Sequence, residues 1–195
     1  MISLFIEAMV LGFIVAIFRK GRIRNIGNIR IKGWYLFLIA GLIQGCISWL
    51  KGRNLILGPE FFDKYFVYVL LFTYLIMIAG VILNIKKKFM KFILIGIMLN
   101  FIVIFSNGGK MPVSFKGFTG YEHYTENMPE KSFDIKHSLV TEDTKLVYLA
   151  DVIVIPKPYP LARIISVGDI FLMIGVFLFF QEAMVRGRWS FQLFS

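Results

Sequence analysis

Apolar residues in this chain come in long unbroken runs rather than in stripes at helical spacing, and polar residues gather between the runs. Five runs stand out: Ile2–Phe18, Trp34–Leu50, Tyr65–Leu83, Phe89–Phe105 and Ile165–Met184. Crossing the hydrocarbon of a bilayer takes about 20 predominantly apolar residues, with roughly 17 as the lower limit. Each run is long enough. The pattern therefore predicts an all-α membrane protein of about five transmembrane helices, forming a single polytopic domain over residues 1–195. Lys91, near the start of the fourth run, can lay its stem along apolar surface while its ammonium reaches water. Trp34 and Trp49 frame the second run in the manner of an aromatic belt.

Between the fourth and fifth runs lies a long segment, residues 106–164. It leaves the fourth helix through Ser106-Asn107-Gly108-Gly109-Lys110-Met111-Pro112-Val113, where two glycines and a proline predict a sharp turn at the membrane surface. Its centre, Gly120 to Lys145, is polar. Leu146–Ile155 is then apolar except for Asp151, too short to span, and followed by Pro156-Lys157-Pro158-Tyr159-Pro160. A short interfacial or re-entrant helix capped by a stiff extended piece is the expectation.

Composition agrees with a membrane setting, since 57% of residues are hydrophobic and only 17% are charged, against roughly 25% charged in a globular domain. The formal net charge of +10 changes the picture only through where the charges lie. Arg19, Lys20, Arg22, Arg24, Arg30 and Lys32 follow the first run, and Lys86, Lys87, Lys88 and Lys91 separate the third from the fourth. Neither basic loop contains an acid, whereas the loop Lys51–Lys64 and the 106–164 segment balance their cations with carboxylates. By the bias of cytoplasmic loops toward Lys and Arg, the N-terminus lies outside, the C-terminus inside, and the long segment outside the cytoplasm. The basic flank also follows the first run instead of preceding it, opposite to a secretory signal peptide. Membrane lipid is the partner this excess implies, not nucleic acid: no basic module interleaved with aromatics is present to hold a strand.

Candidate chemistry is sparse. Cys46 is the single cysteine, His123 and His137 lack the close spacing of zinc motifs, and no metal or cofactor is expected. Gly41 and Gly45 make a small-xxx-small face, expected to pack within the chain rather than between chains. Ionisable groups inside spans are costly and mark functional sites by default. Three qualify: Glu7, Asp169 and Glu182, the last at i, i+4 spacing from Arg186, which suggests a simple ion pair. Depth alone puts Glu7, Asn100, Asn107, Gly108, Gly109 and Ser166 in the same outer half as Asp169. With Lys110 and His137 from the long segment, these are the candidate binding residues of an outward-facing pocket. Asp151 and Asp169 flank the proline-rich hinge and are the candidate catalytic pair. Ser166 or Asp169 can equally serve as a helix cap.

The order Asn107-Gly108-Gly109-x-Met111-Pro112-Val113, then Thr144-x-Leu146-x-x-Leu149-x-Asp151-Val152-Ile153, Pro156, and Ser166-x-Gly168-Asp169 resembles an uncharacterised family of small bacterial multi-pass membrane proteins, a domain of unknown function. The resemblance covers the second half of the chain and implies a bacterial plasma-membrane location and a topology, but no activity. Ala150 stands where that family would have glycine. The stretches Leu149–Ile153 and Gly168-Asp169-Ile170-x-x-x-x-Gly175 are fainter in likeness, and similar to the closing part of the lipoprotein signal peptidases, in which membrane-surface aspartates activate water. Only Asp169 matches that pattern; Asp151 falls on a non-catalytic position and the Asp-Arg motif is missing.

Two functions of different class follow. The favoured one is an outward-facing binding or assembly module built on residues 106–169, receiving a protein, peptide or small ligand. The alternative is an aspartate-dependent hydrolase or transferase acting on a lipid or lipid-linked substrate, with Asp169 as general base, Asp151 as its partner, and Asn107 with the Gly108 and Gly109 amides as oxyanion donors. A transporter component ranks third, since no internal repeat suggests alternating access.

Overall fold

The computed structural model describes residues 2–52, 59–115, 137–156, 158–159 and 163–185. Its helices are α1 (Ile2–Phe18), α2 (Trp34–Gly52), α3 (Pro59–Ile82), α4 (Lys88–Ser106) and α5 (Val167–Met184), with a 3-10 turn at Ile23–Asn28 after α1. The stretches Tyr65–Ile82, Lys88–Ser106 and Val167–Met184 are long and apolar enough to cross a membrane, and α1 and α2 carry the shorter apolar stretches Leu4–Phe18 and Trp34–Ile47. Large apolar side chains point away from the protein, Leu42 being 67% exposed and Leu11 58%. Apolar surface on that scale requires lipid or a partner to cover it.

Helices α4 and α5 approach closely because glycine removes side chains from the contact. A Cβ at Gly96 would come 2.7 Å from the Gly168 carbonyl oxygen, and one at Gly175 would come 2.5 Å from Ile93. Helices α1 and α5 run parallel: Glu7 meets Arg163 just before α5, Gly12 lies against Phe177, and Ala16 packs with Ala183 and Met184. At that last end Gln181 Nε2 donates to the Gly12 carbonyl at 2.8 Å, and Asn25 Nδ2 and the Arg22 amide donate to the Met184 carbonyl.

Two sequence expectations fail here. The face of Gly41 and Gly45 does not pack on the described residues: a Cβ at either position would meet none of their atoms within 4 Å. The close helix contact runs through Gly96, Gly168 and Gly175 instead. Leu146–Ile155 is not an interfacial or re-entrant helix either. It forms a 3-10 turn at Val147–Leu149 and then strand β3 (Ile153–Ile155), which pairs antiparallel with β4 (Arg163–Ile165) in the register Ile153↔Ile165. Four consecutive β-branched residues, Val152 to Ile155, favour extended backbone, and Pro156 prevents a helix from continuing. Two further strands, β1 (Met111–Val113) and β2 (His137–Leu139), pair in parallel, and Asp151 bridges to Val113. This small sheet sits on the end of α4, where Met111 and Ala150 bury against Val103.

Candidate functional site

Helix α5 opens with a reciprocal cap. The Asp169 amide donates to Ser166 Oγ at 3.0 Å and the Ser166 amide donates to Asp169 Oδ2 at 3.2 Å, a capping box that satisfies two backbone donors left free at a helix start. Asn100 reaches this cap from α4. Its Nδ2 donates to Asp169 Oδ1 at 3.2 Å and its Oδ1 accepts from Ser166 Oγ at 3.1 Å. Ser166, Asp169 and Asn100 are all buried. Gly168 is required beside them because a Cβ there would overlap Asn100 Oδ1. Of the two alternatives on sequence grounds, the capping role is realised in this network, and both oxygens of Asp169 are already accepting bonds.

Asp151 is held differently. Its backbone amide donates to the Pro112 carbonyl and its carbonyl accepts from the Ser114 amide, each at 2.9 Å, so β1 fixes the main chain. The side chain turns inward. The residue is 9% exposed, Oδ2 lies 3.9 Å from His137 Nε2, and Oδ1 is buried without a hydrogen-bond partner among the described residues. Burial away from water, with the Asp169 charge adding to it, pushes the Asp151 carboxyl up to about 7. The preceding Ala150 is extended at φ −69° and fully buried, so its position needs no glycine.

The chain belongs to a family of unknown function, DUF5317. The sequence profile of that family matches residues 28–181. A relative in Thermotoga maritima, described as an uncharacterized protein, is 34% identical over 180 residues, covering 92% of this chain and 89% of its own length. No solved structure matches. The family match contains the whole Asn100–Asp151–Asp169 region and begins after Glu7.

The other expected residues do not join this centre. Asn107 donates through Nδ2 to the Val103 and Lys145 carbonyls at 2.7 and 2.9 Å and accepts from the Lys145 amide at 2.9 Å, clamping the returning chain to the end of α4. The Gly109 amide donates to the Ile104 carbonyl at 2.9 Å, completing a helix C-cap with Gly108 and Gly109 at φ +69° and +87°. The Asn107 and Gly109 donors expected to face an oxyanion are consumed by capping, because a helix end leaves carbonyls that need partners. Lys110 is exposed to solvent. Glu7 accepts from Tyr159 Oη at 2.6 Å and pairs with Arg163, which ties α1 to the β3–β4 hairpin instead of placing a free acid in a shared pocket. Arg186, the expected partner of Glu182, lies outside the described residues.

Sequence reasoning missed three participants. Tyr74 on α3 lies within electrostatic reach of both Asp151 and Asp169, its ring packed on Phe101 and Phe105. Arg163 and Gly168 were missed as well. Arg163 carried a signal: a cation immediately before the last apolar run, on the side where cations are balanced by carboxylates, implies an acid partner.

Proposed function

We propose that this chain is a polytopic membrane protein of five spans, N-terminus outside, whose outer cap over residues 106–169 is a binding module that receives a hydrogen-bond donor at Asp151. Three helices long and apolar enough to cross support the membrane setting. The parallel run of α1 and α5 supports an odd number of crossings, and the basic loops support the orientation. The observation that carries the binding role is the buried Asp151 Oδ1, which has no hydrogen-bond partner among the described residues. A polar atom in that condition costs free energy, which a ligand that supplies the missing bond would offset. An ammonium or guanidinium group from a peptide or small ligand fits an acid centre that already holds a second carboxylate. Catalysis is the weaker reading, because Asp169, its intended base, has both oxygens engaged in the cap.

The test is the thermal stability of purified protein against a panel of amines, guanidines and short cationic peptides, with carboxylates and neutral sugars as controls. Cationic donors should stabilise the wild type and leave Asp151→Asn unmoved. Equal responses in both proteins, or stabilisation by carboxylates alone, would remove Asp151 as the binding group. A well-folded Asp169→Asn protein that retains ligand response but loses a deletion phenotype would restore the hydrolase reading.

A further inference from the structure

Opposite the acid centre, the end of the bundle where α1 and α5 finish is strongly basic. The segments 19–32 and 84–91 hold six and four Lys or Arg residues and no Asp or Glu. They are distant in sequence, and the fold joins them. Asn84 Nδ2 donates to the Lys32 carbonyl at 2.7 Å, its Oδ1 accepts from the Lys32 amide at 2.9 Å, and Lys87 Nζ donates to the same Oδ1 at 3.0 Å. The first segment is pinned to α5 by the Arg22 amide and Asn25 Nδ2, both on the Met184 carbonyl. The result is one fixed collar, with Lys20, Arg22, Arg24, Arg30, Lys86 and Lys88 exposed around it. Apolar side chains stand among these cations: Phe18 is 83% exposed and Ile23 60%. Ile82 and Leu83 are exposed next to the second segment.

We infer that this collar binds anionic phospholipid, its cations taking the phosphodiester headgroups while Phe18, Ile23 and the adjoining helix faces take the upper acyl chains. The inference rests on the membrane reading of the chain but not on the Asp151 site. A polyanion in water would satisfy the cations and leave Phe18 and Ile23 wet; a bilayer leaflet with acidic headgroups satisfies both at once. The clamp at Asn84 matters because cations held in place before the lipid arrives lose less entropy on binding than a mobile basic tail.

Trp34 follows Lys32 at the collar and Trp49 lies toward the other end of α2, both exposed. Each can therefore report on its own leaflet in reconstituted vesicles once the other tryptophans are replaced by Phe. Brominated phosphatidylglycerol and brominated phosphatidylcholine then compete as quenchers. At Trp34 the anionic lipid should be preferred about fivefold at low salt, falling toward parity near about 1 M salt, where the screening length is about 3 Å. At Trp49 there should be no preference. Replacing Arg22, Arg24, Lys86 and Lys88 together by Gln should bring the Trp34 ratio to within about twofold of parity while quenching by either lipid persists. Free inorganic phosphate should not displace the anionic lipid; displacement would mean a phosphate site rather than a lipid site. A Trp34 ratio of one in the wild type, or a ratio untouched by the fourfold substitution, would overturn the inference. Loss of quenching by both lipids at both tryptophans would instead refute the membrane reading itself.

Discussion

Asp151→Asn is the substitution whose consequences can be worked furthest. In the folded protein the carboxyl is pushed from 3.8 up to about 7, first by burial and then by the Asp169 charge. The folded state therefore holds the proton more tightly than the unfolded chain. Stability from this group is fully present below pH about 4, falls as the pH rises toward 7, and is lost above it. The interval corresponds to about 4 kcal/mol, an upper figure for the decline between pH 4 and 8. Asn keeps the shape and the two main-chain bonds to Pro112 and Ser114 but does not titrate. The variant should thus show a flat profile where the wild type declines. At pH 8 it should be the more stable protein by about 1–3 kcal/mol, after roughly 1–3 kcal/mol is allowed for burying an amide with incomplete partners. Thermal unfolding in a neutral detergent from pH 4.5 to 8 measures this. Because His137 lies 3.9 Å from Asp151 Oδ2, the comparison is repeated in a His137→Gln background. Parallel pH profiles for Asp and Asn in both backgrounds would refute the argument that Asp151 is buried at a cost. Greater stability together with loss of ligand response would mark it as a residue retained for function.

Three further outcomes are expected. Gly168→Ala should destabilise the protein by about 1–3 kcal/mol or more, because the new methyl overlaps Asn100 Oδ1 and the α4–α5 contact cannot widen without losing the cap; a melting temperature equal to wild type would show that the contact is loose. Glu7→Gln and Arg163→Gln should each cost more than half of what the double variant costs, since either single change leaves a partly buried charge without its counterpart; strictly additive losses in a double-mutant cycle would show the pair to be unimportant. In a Cys46→Ala background, an impermeant thiol reagent applied to intact cells should label Glu142→Cys and not Lys86→Cys, and the reverse would invert the proposed orientation.

The helices were legible in the sequence because apolar runs and caps are local properties. Runs of about 17–20 apolar residues set where the helices lie to within about two positions, except that α3 begins at Pro59, six residues before its run, and Ser166 with Asp169 three residues on is a cap signature readable from spacing alone. The turn after α4 was equally local, since Gly108 and Gly109 supply the positive φ that a helix C-cap requires. The chain itself thus determined the secondary structure of the helices and of the turn that follows α4.

Only the tertiary structure decided which groups meet. Hydropathy records depth but not the rotation of a helix about its axis, so Glu7, placed by depth beside Asp169, in fact faces Arg163 and Tyr159, more than 150 positions away in sequence. The same ambiguity misdirected the Gly41–Gly45 face, while Gly96, Gly168 and Gly175 formed the close contact. Asn107 gave the chemical signal of a donor, and only the return of Lys145 revealed that its amide is used up as a clamp. Leu146–Ile155 became a turn and a strand because its partner, Arg163–Ile165, was available for pairing, a long-range choice that a ten-residue window cannot register. The oxygen of Asp151 left without a partner among the described residues is the furthest from sequence of all, for a hydrogen bond can be seen to be unmade only from the tertiary arrangement of its neighbours.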